Sequence, residues 1–588
     1  MSHSDDTKLI VYQVFPRILS NETTDCVPFG SYERNGCGKM NHYTARMLRG
    51  IRELGVNCIW YTGIIEHATK TSFDQAGIPA DNPHVVKGEA GSPYAIKDYY
   101  DVAPSIAEHT GHRMEEFEAL VKRTHEAGMR AIIDFVPNHT ARRYHSDAAP
   151  EGVADFGADD DITKFFDPAN NYYYITNQQF APSIDLGHGK DAYVEFPAKA
   201  TGNDCFTAFC SEYDWYETVK LNYGFDYSDH TEHFDPIPPT WLKMRDILLF
   251  WASKGVDGFR CDMVFMVPHP FWHWVIAEVK KQYPDLIFIG EIYDVGLYRT
   301  FLDYCGFDYL YDKVNLYDTL VGIERHGLSA AQLTGCWQTV DGIGDRMLNF
   351  LENHDEVRYG SQEFAGDPMK VTPSLVVSAM MSRGPFMIYY GQELGECARE
   401  NEGFAGFNNR TTIFDYWSYA TMRGWYNGGK CDDTRLNEQQ RWLRGLYSKV
   451  LHLCNEEASI AKGDFFDLMY VNLRNPHLNP HETYAFLRYH GDEALLIVAN
   501  FGYTDRRVDV VIPNLAYDMI GLPRGGVRSI NLMTGEQTTL MMAPDAPTTV
   551  QVGARDAVVM KIRTLKPGID NNTKKNKPIA INKHNAKK

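Results

Sequence analysis

Short apolar runs alternate with segments of helical period through residue 460 of the chain. Strands are predicted where apolar or β-branched residues cluster, at residues 9–14, 57–61, 131–133, 287–289, 347–350 and 385–390. Helices are predicted where apolar positions recur about every three to four residues, at 43–54, 113–127, 239–254 and 436–455. This alternation predicts parallel βα units and therefore an α/β fold.

The alternation is interrupted in two places. Residues 140–227 are rich in Asp, Asn, Tyr and Gly, and the segment is too long for an ordinary βα loop. After residue 460 the pattern changes to short strands, with a hairpin predicted at residues 483–499 and a last strand at 557–562. We therefore predict a barrel from residues 1–139 and 228–460, an inserted domain at 140–227, a β domain at 461–565 and a tail at 566–588.

The amino-acid composition disfavours nucleic acids and anionic membranes as binding partners. The chain has 588 residues, 44% of them hydrophobic, and a formal net charge of −19 at pH 7. Such an acidic chain is a poor partner for nucleic acid or an anionic membrane, and no apolar run is long enough to span a bilayer. Aromatic residues make up 13% of the chain, and aromatic faces can stack on sugar rings, although cores use them as well.

The cysteines and the N-terminus favour a reducing, cytoplasmic location. The eleven cysteines are an odd number and include no CxxC pair. No apolar stretch of signal-peptide length precedes the first predicted strand. We expect free thiols and a cytoplasmic protein, unless a leader has been removed.

Four stretches place polar, potentially catalytic side chains just after predicted strands. They are residues 134–139 (DFVPNH), 258–262 (GFRCD), 288–291 (FIGE) and 350–355 (FLENHD). In a parallel (β/α)8 barrel the active site lies at the C-terminal ends of the strands, so acids at these positions indicate catalysis. Converging carboxylates of this kind are what glycoside hydrolysis requires.

Two of these acids have local surroundings that suggest their roles. Arg260 lies two residues before Asp262 on the same predicted strand, so both side chains face the same side of the sheet. A guanidinium there favours an ionised, oriented nucleophile. Glu291 follows an apolar run, and low polarity favours the protonated carboxyl that a general acid needs. Each acid taken alone is also compatible with an ordinary ion pair or a helix cap.

The four stretches, in this order, resemble the conserved regions of the α-amylase superfamily, glycoside hydrolase family 13. The resemblance implies a (β/α)8 TIM barrel with a domain B inserted after strand three and a C-terminal β-sandwich. It also implies that Asp262 is the nucleophile, Glu291 the acid/base and Asp355 the third catalytic acid. The substrate-binding residues implied by it are Tyr94, His139, Arg260 and His354.

The resemblance implies a retaining α-glucan hydrolase that acts on starch-derived maltooligosaccharides, with α-1,4 linkages preferred. Residues 220–222 (KLN) resemble the form found in neopullulanase-like members, and Met263 after the nucleophile leaves the linkage open. The alternatives are a transglycosylase or isomerase, of the maltosyltransferase or trehalose synthase type, and an α-1,6-glucosidase. A non-catalytic binding homologue is disfavoured because all three acids are present.

The expected cofactors are few. No organic cofactor motif was found in the sequence. Many members of the family carry calcium between domain B and the barrel, and the resemblance makes Asn138 a candidate ligand there. The expected substrate is a neutral α-glucan, with neither nucleic acid nor membrane as a partner.

The C-terminal tail generates a first prediction. Residues 566–588 contain seven lysines, one aspartate and no aromatic residue, so they lack the apolar surface that offsets the entropy of ordering. We expect a chain that ends at Leu565 to keep its Tm and its kcat/KM on short maltodextrins. Loss of solubility or activity on truncation would instead show that the tail packs on the folded part of the chain.

Overall fold

Eight parallel strands close a barrel in the computed structural model, which describes residues 7–565. Strands β1–β8 are Ile10–Val14, Cys58–Tyr61, Arg130–Phe135, Gly258–Cys261, Ile287–Gly290, Tyr309–Tyr311, Met347–Phe350 and Phe386–Tyr389. Each pairs in parallel with its sequence neighbours, and β1 pairs with β8 to close the sheet. The predicted (β/α)8 barrel is confirmed.

The barrel strands are buried along almost their whole length. Helices cover the outer face of a parallel barrel and side chains fill its interior, so its strands are near-continuous apolar runs. Gln13 in β1 and Arg260 in β4 are fully buried polar exceptions. A buried polar group needs partners, and at the C-terminal mouth of the barrel the Gln13 amide nitrogen contacts His354 and Arg260 donates to Asp262.

The four helices predicted from the sequence are present and match their predicted bounds to within two residues, whereas three further long helices of the barrel were not predicted. The longer ones are Ala45–Arg52, Arg113–Glu126, Pro239–Ser253, His269–Gln282, Asp318–His326, Thr372–Met380 and Glu438–Glu456. The helix Glu438–Glu456 begins at a capping box. The backbone N–H of Gln440 donates to the side-chain oxygen of Asn437, and the backbone N–H of Asn437 donates to the side-chain oxygen of Gln440. Its buried face then packs on the barrel through Leu443, Tyr447 and Val450.

An arm and an insertion extend from the C-terminal mouth of the barrel. The arm follows β2 and contains the antiparallel strands Ile65–His67 and Ile96–Val102. The insertion follows β3 and contains short strand pairs, His139–Ala141 with Thr218–Lys220 and Tyr174–Ile175 with Ala198–Lys199. The insertion has its own apolar cluster, to which Val85 of the arm contributes. The predicted domain boundaries themselves stay predictions.

The C-terminal part of the described chain is a β domain. Its strands β9–β16 are Asp464–Asp467, Thr483–His490, Glu493–Asn500, Arg506–Val511, Gly525–Asn531, Gln537–Met542, Pro547–Val552 and Asp556–Arg563. Six of them form a sheet in the order β9-β10-β11-β16-β13-β14, and β12 pairs with β15. The predicted hairpin is present as β10 and β11, joined through Gly491 at positive φ.

Cysteine chemistry and hydropathy add two observations. All eleven cysteines are free thiols. Within residues 7–565, every helix is too short or too polar to cross a lipid bilayer. The predicted tail at residues 566–588 lies outside the described residues.

Arg488 of β10 joins the β domain to the barrel. Its guanidinium donates to the backbone carbonyls of Met381, Ser459, Ile460 and Gly463, and the residue is 2% exposed. These carbonyls would lose their partner, and a void would remain, if the side chain were truncated.

We therefore expect Arg488→Ala to lower the free energy of unfolding by about 2–4 kcal/mol, measured by guanidinium chloride titration. The matched control is Arg528→Ala, an exposed arginine on β13 of the same domain, for which we expect less than about 0.5 kcal/mol. Equal effects of the two substitutions would contradict this assignment.

Candidate active site

The predicted acids meet at the C-terminal mouth of the barrel. Asp262 directly follows β4, Glu291 directly follows β5, and Asp355 lies in the loop after β7. All three line one cavity of about 300 Å³. The same cavity is lined by a set of predicted binding residues and by aromatic neighbours, namely Tyr94, His139, His354, Trp215, Tyr293 and Phe414. The structure thus brings together residues that are up to 320 positions apart in the sequence, Tyr94 and Phe414.

Arg260 is the centre of the site. Its Nη1 lies 2.8 Å from Asp262 Oδ1, and its Nη2 lies 2.9 Å from Glu291 Oε2. Asp134 Oδ1 lies 3.4 Å from Nη1, and Asp355 Oδ2 lies 3.9 Å from Nη2. One guanidinium therefore contacts the two principal carboxylates and fixes their relative position, as its rigid fork of donors allows.

Aromatic rings enclose this guanidinium. The centroids of Trp60, Tyr94 and Tyr311 lie 5.2, 5.3 and 5.7 Å from Arg260 Cζ, within reach of cation–π attraction. Arg260 itself has 0% exposure. The low polarity of this cage strengthens the electrostatic contacts inside it, because water does not screen them.

The two carboxylates at Arg260 influence each other's ionisation. Burial, followed by the charge of the nearby Glu291, raises the pKa of Asp262 well above its ordinary value, while Arg260 acts in the opposite direction. Two buried carboxylates that face one guanidinium cannot both ionise without a large electrostatic cost. The negative charge of Glu291 therefore opposes ionisation of Asp262, and Arg260 offsets part of this effect.

Glu291 is oriented by two further donors. The Met263 backbone N–H donates to Oε2 at 2.8 Å, and the Tyr293 hydroxyl lies 2.5 Å from Oε1. Met263 has φ +44°, a left-handed conformation that is costly for this residue type. Oε2 thus contacts both the Met263 backbone N–H and Arg260, whereas within residues 7–565 Oε1 accepts from the Tyr293 hydroxyl alone.

Asp355 and His354 form the other side of the site. His354 Nε2 lies 2.9 Å from Asp355 Oδ2, and the Gln13 amide nitrogen lies 2.8 Å from His354 Nδ1. Enclosure opposes ionisation of Asp355, but its contacts with His354 and Arg260 outweigh this and lower its pKa to about 2. The side chain is 38% exposed, so it is a charged acceptor that faces the open cavity.

Tyr94 and His139 lie on the arm and on the insertion. The Tyr94 hydroxyl lies 2.6 Å from His354 Nε2 and donates to Asp134 Oδ1 at 3.2 Å, and its ring stacks on His354. Burial, followed by the charge of Lys220, lowers the pKa of His139 to about 3, so its imidazole is neutral at pH 7. Both side chains therefore present polar but uncharged groups to the cavity.

The surroundings of Asn138 do not fit a calcium ion while Lys220 is in place. Lys220 Nζ lies 2.5 Å from Asn138 Oδ1, 2.6 Å from Asp204 Oδ1 and 3.0 Å from the Met266 carbonyl oxygen. The ammonium group is surrounded by the oxygens that a hard cation would need. Calcium binding at Asn138 stays a prediction, and it would require Lys220 to move away.

Several residues of the site were not identified from the sequence. Trp60 donates to Asp134 Oδ2 at 3.0 Å, and Gln13, Trp215, Tyr293 and Lys87 line or support the cavity. Gln13 and Trp60 lie on β1 and β2, whose strand ends carry no acid to mark them. A glutamine within an apolar strand was the one available signal, since a buried amide needs partners.

Comparison with known proteins agrees with this architecture. Residues 13–417 match the family model described as "Alpha amylase, catalytic domain". The chain is 26% identical over 258 residues to an alpha-1,4-glucan:maltose-1-phosphate maltosyltransferase of Cereibacter sphaeroides, an alignment that covers 42% of this chain and 28% of that relative. It is 21% identical over 547 residues to neopullulanase 2 of Thermoactinomyces vulgaris, which covers 90% of this chain and 74% of the relative.

Solved structures show the same fold. A noncanonic maltogenic alpha-amylase from Thermotoga neapolitana superposes with a TM-score of 0.60 at 20% identity, over 94% of this chain and 98% of that one. The chain spans less than a third of the length of the maltosyltransferase, so that relative's activity does not carry over by similarity alone. The family model, in contrast, covers well over half of the chain. The chain therefore belongs to the α-amylase family, glycoside hydrolase family 13.

Proposed function

We propose that this chain is a retaining α-glucan hydrolase that cleaves α-1,4-glucosidic bonds of maltooligosaccharides. The observation that carries the proposal is the contact of one buried guanidinium, Arg260, with both Asp262 and Glu291 at the mouth of the barrel. A nucleophile and an acid/base held next to each other are the two groups of a double displacement. The neopullulanase relative, which aligns along most of this chain, supports the same substrate class.

In the first step Asp262 attacks the anomeric carbon, and the bond from that carbon to the leaving oxygen breaks. Glu291 gives its proton to the leaving oxygen, and Oε1 beside Tyr293 is the oxygen suited to this transfer. Asp262 is then bonded to the sugar. In the second step Glu291 takes a proton from water, which attacks the same carbon and releases Asp262 as a carboxylate.

The other residues are proposed to bind and orient the sugar. Asp355 and His354 accept from and donate to hydroxyl groups, and contacts with hydroxyls that tighten in the transition state favour cleavage. Neutral His139 offers a further hydrogen bond, and Tyr94 offers a ring face. The substrate is a neutral glucan, and the cytoplasmic location and the absence of a nucleic-acid partner stay predictions.

Transfer to a sugar acceptor is the second candidate. The cavity that contains the acids is lined by the aromatic side chains Trp215, Tyr293 and Phe414. Aromatic faces bind sugar rings and exclude water, and both properties favour a sugar over water as the second nucleophile. The maltosyltransferase relative is consistent with this alternative.

The roles of the two acids are tested by isosteric substitution. We expect Asp262→Asn and Glu291→Gln each to lower kcat on maltooligosaccharides by about a thousandfold or more with little change in Tm, because charge changes while volume does not. The matched controls are Asp303→Asn and Glu278→Gln, which lie outside the cavity and should keep wild-type turnover. Near wild-type turnover of either active-site variant would refute its assigned role.

Double displacement also fixes the stereochemistry of the product. Two inversions at the anomeric carbon give net retention, so the α-anomer should appear first, as observed by proton NMR before mutarotation. Early appearance of the β-anomer would rule out Asp262 as a covalent nucleophile.

The same timed samples can be separated by chromatography. Products shorter than the substrate indicate hydrolysis, whereas products longer than the substrate indicate transfer and favour the second candidate.

A further inference from the structure

Four carboxylates converge where the arm meets the start of the insertion, away from the catalytic acids. Glu66 lies on the strand Ile65–His67, Asp98 and Asp101 lie on the strand Ile96–Val102, and Asp147 lies in the insertion. One oxygen from each of them lies within 4.8 Å of the others. Glu66, Asp98 and Asp101 are buried, and Asp147 opens to solvent.

Glu66 lacks the partners that a buried carboxylate needs. The residue is only 3% exposed, and its Oε2 is buried without a hydrogen-bond partner among the described residues. Its salt-bridge contact is Lys97 Nζ, which lies 3.7 Å from Oε1, beyond hydrogen-bonding distance. A buried carboxylate without compensation is costly, so this oxygen indicates a missing positive partner.

The nearby cations do not balance the four carboxylates. Lys97 is shared with Asp81, 3.4 Å away, and donates to the Pro79 carbonyl oxygen. Arg113 contacts Asp101, and its Nη2 lies 3.8 Å from Asp147 Oδ1. Two cationic side chains therefore face four acids of the cluster and Asp81 as well.

The excess of carboxylates over cations favours a bound cation at this point. A divalent cation favours the ionised form of every carboxylate that it contacts, so it would offset the negative charge that Lys97 and Arg113 leave unbalanced.

We propose that Glu66, Asp98, Asp101 and Asp147 bind one calcium ion. All four offer oxygen, the ligand that hard cations take. Calcium–oxygen bonds of about 2.3–2.6 Å place opposite ligands about 4.6–5.2 Å apart, so a single ion can contact all four oxygens. The exposed Asp147 provides a path for entry and room for water ligands. This site is distinct from Asn138, whose oxygen is in contact with the Lys220 ammonium.

The ion would fasten together the two segments that complete the active site. The Asp147 amide already donates to Asp98 Oδ2 at 3.0 Å, and the His145 amide donates to the Lys97 carbonyl oxygen. The arm carries Tyr94 four residues before Asp98, and the insertion carries His139 eight residues before Asp147. Calcium at this junction therefore stabilises the walls of the cavity without contacting the substrate.

The test uses the full chain, treated with a chelator and then titrated with CaCl2 by isothermal titration calorimetry, with Tm measured in parallel. We expect one calcium per chain and a Tm increase of a few degrees, because an ion that binds the folded state alone stabilises it. Glu66→Gln should abolish binding, and Asp147→Asn should weaken it at least about tenfold, since each removes a charged ligand. The control is Asp204→Asn, which removes a carboxylate beside Asn138 and should leave binding unchanged.

Each outcome decides the proposal. Binding that is lost in the Glu66 and Asp147 variants and kept in the Asp204 variant supports it. Absence of calcium uptake at millimolar concentration overturns it. Binding that survives Glu66→Gln, or disappears in Asp204→Asn alone, also overturns it. If Glu66→Gln does not fold, the partly exposed Asp147→Asn decides the question on its own.

Discussion

The burial of one guanidinium among acids is the constraint on which the catalytic end of this barrel depends. Arg260 has no exposure and contacts Asp262 and Glu291 directly. A buried ion pair is not by itself a source of stability, because removing both charges from water costs about as much as their attraction returns. The arrangement therefore persists only because the surrounding structure holds it, and that support comes from the well-packed barrel.

That support comes from the arm and from several strands of the barrel. Tyr94 from the arm, Trp60 from β2 and Tyr311 from β6 enclose Arg260. Gln13 from β1 contacts His354, which in turn contacts Asp355. The loops and strand ends at the mouth of the barrel thus position a few charged side chains, as electrostatic preorganisation requires. Movement of the arm would withdraw Tyr94 from Arg260 while the barrel strands that carry Trp60 and Tyr311 stayed in place.

Much of this fold follows from local sequence, and the rest does not. The strand runs and the four acidic stretches are contiguous, so periodicity and motif order revealed them, and the hairpin β10–β11 carried its own turn residues. Strand β6 was not predicted from the sequence because it is only three residues long, Tyr309–Tyr311. Trp60 and Gln13 were missed because their importance comes from long-range contacts, Trp60 with Asp134 and Gln13 with His354, which are 74 and 341 positions apart. The spacing of apolar residues along the chain gives no information about contacts between residues that are so far apart in the sequence.

At three places in the molecule a buried carboxylate or amide oxygen needs a neighbouring cation. Each of the three places meets this need in a different way. At the catalytic carboxylates the cation is Arg260, whose rigid fork fixes direction as well as charge. At Asn138 it is the Lys220 ammonium, a compact charge that several oxygens can surround. At Glu66 no side chain within residues 7–565 reaches hydrogen-bonding distance of the buried oxygen. A side-chain cation is fixed by covalent connection and cannot leave, whereas an ion can exchange with solvent. The concentration of calcium in solution can therefore affect the geometry of the active site through the junction of arm and insertion, while the catalytic acids themselves stay unaltered.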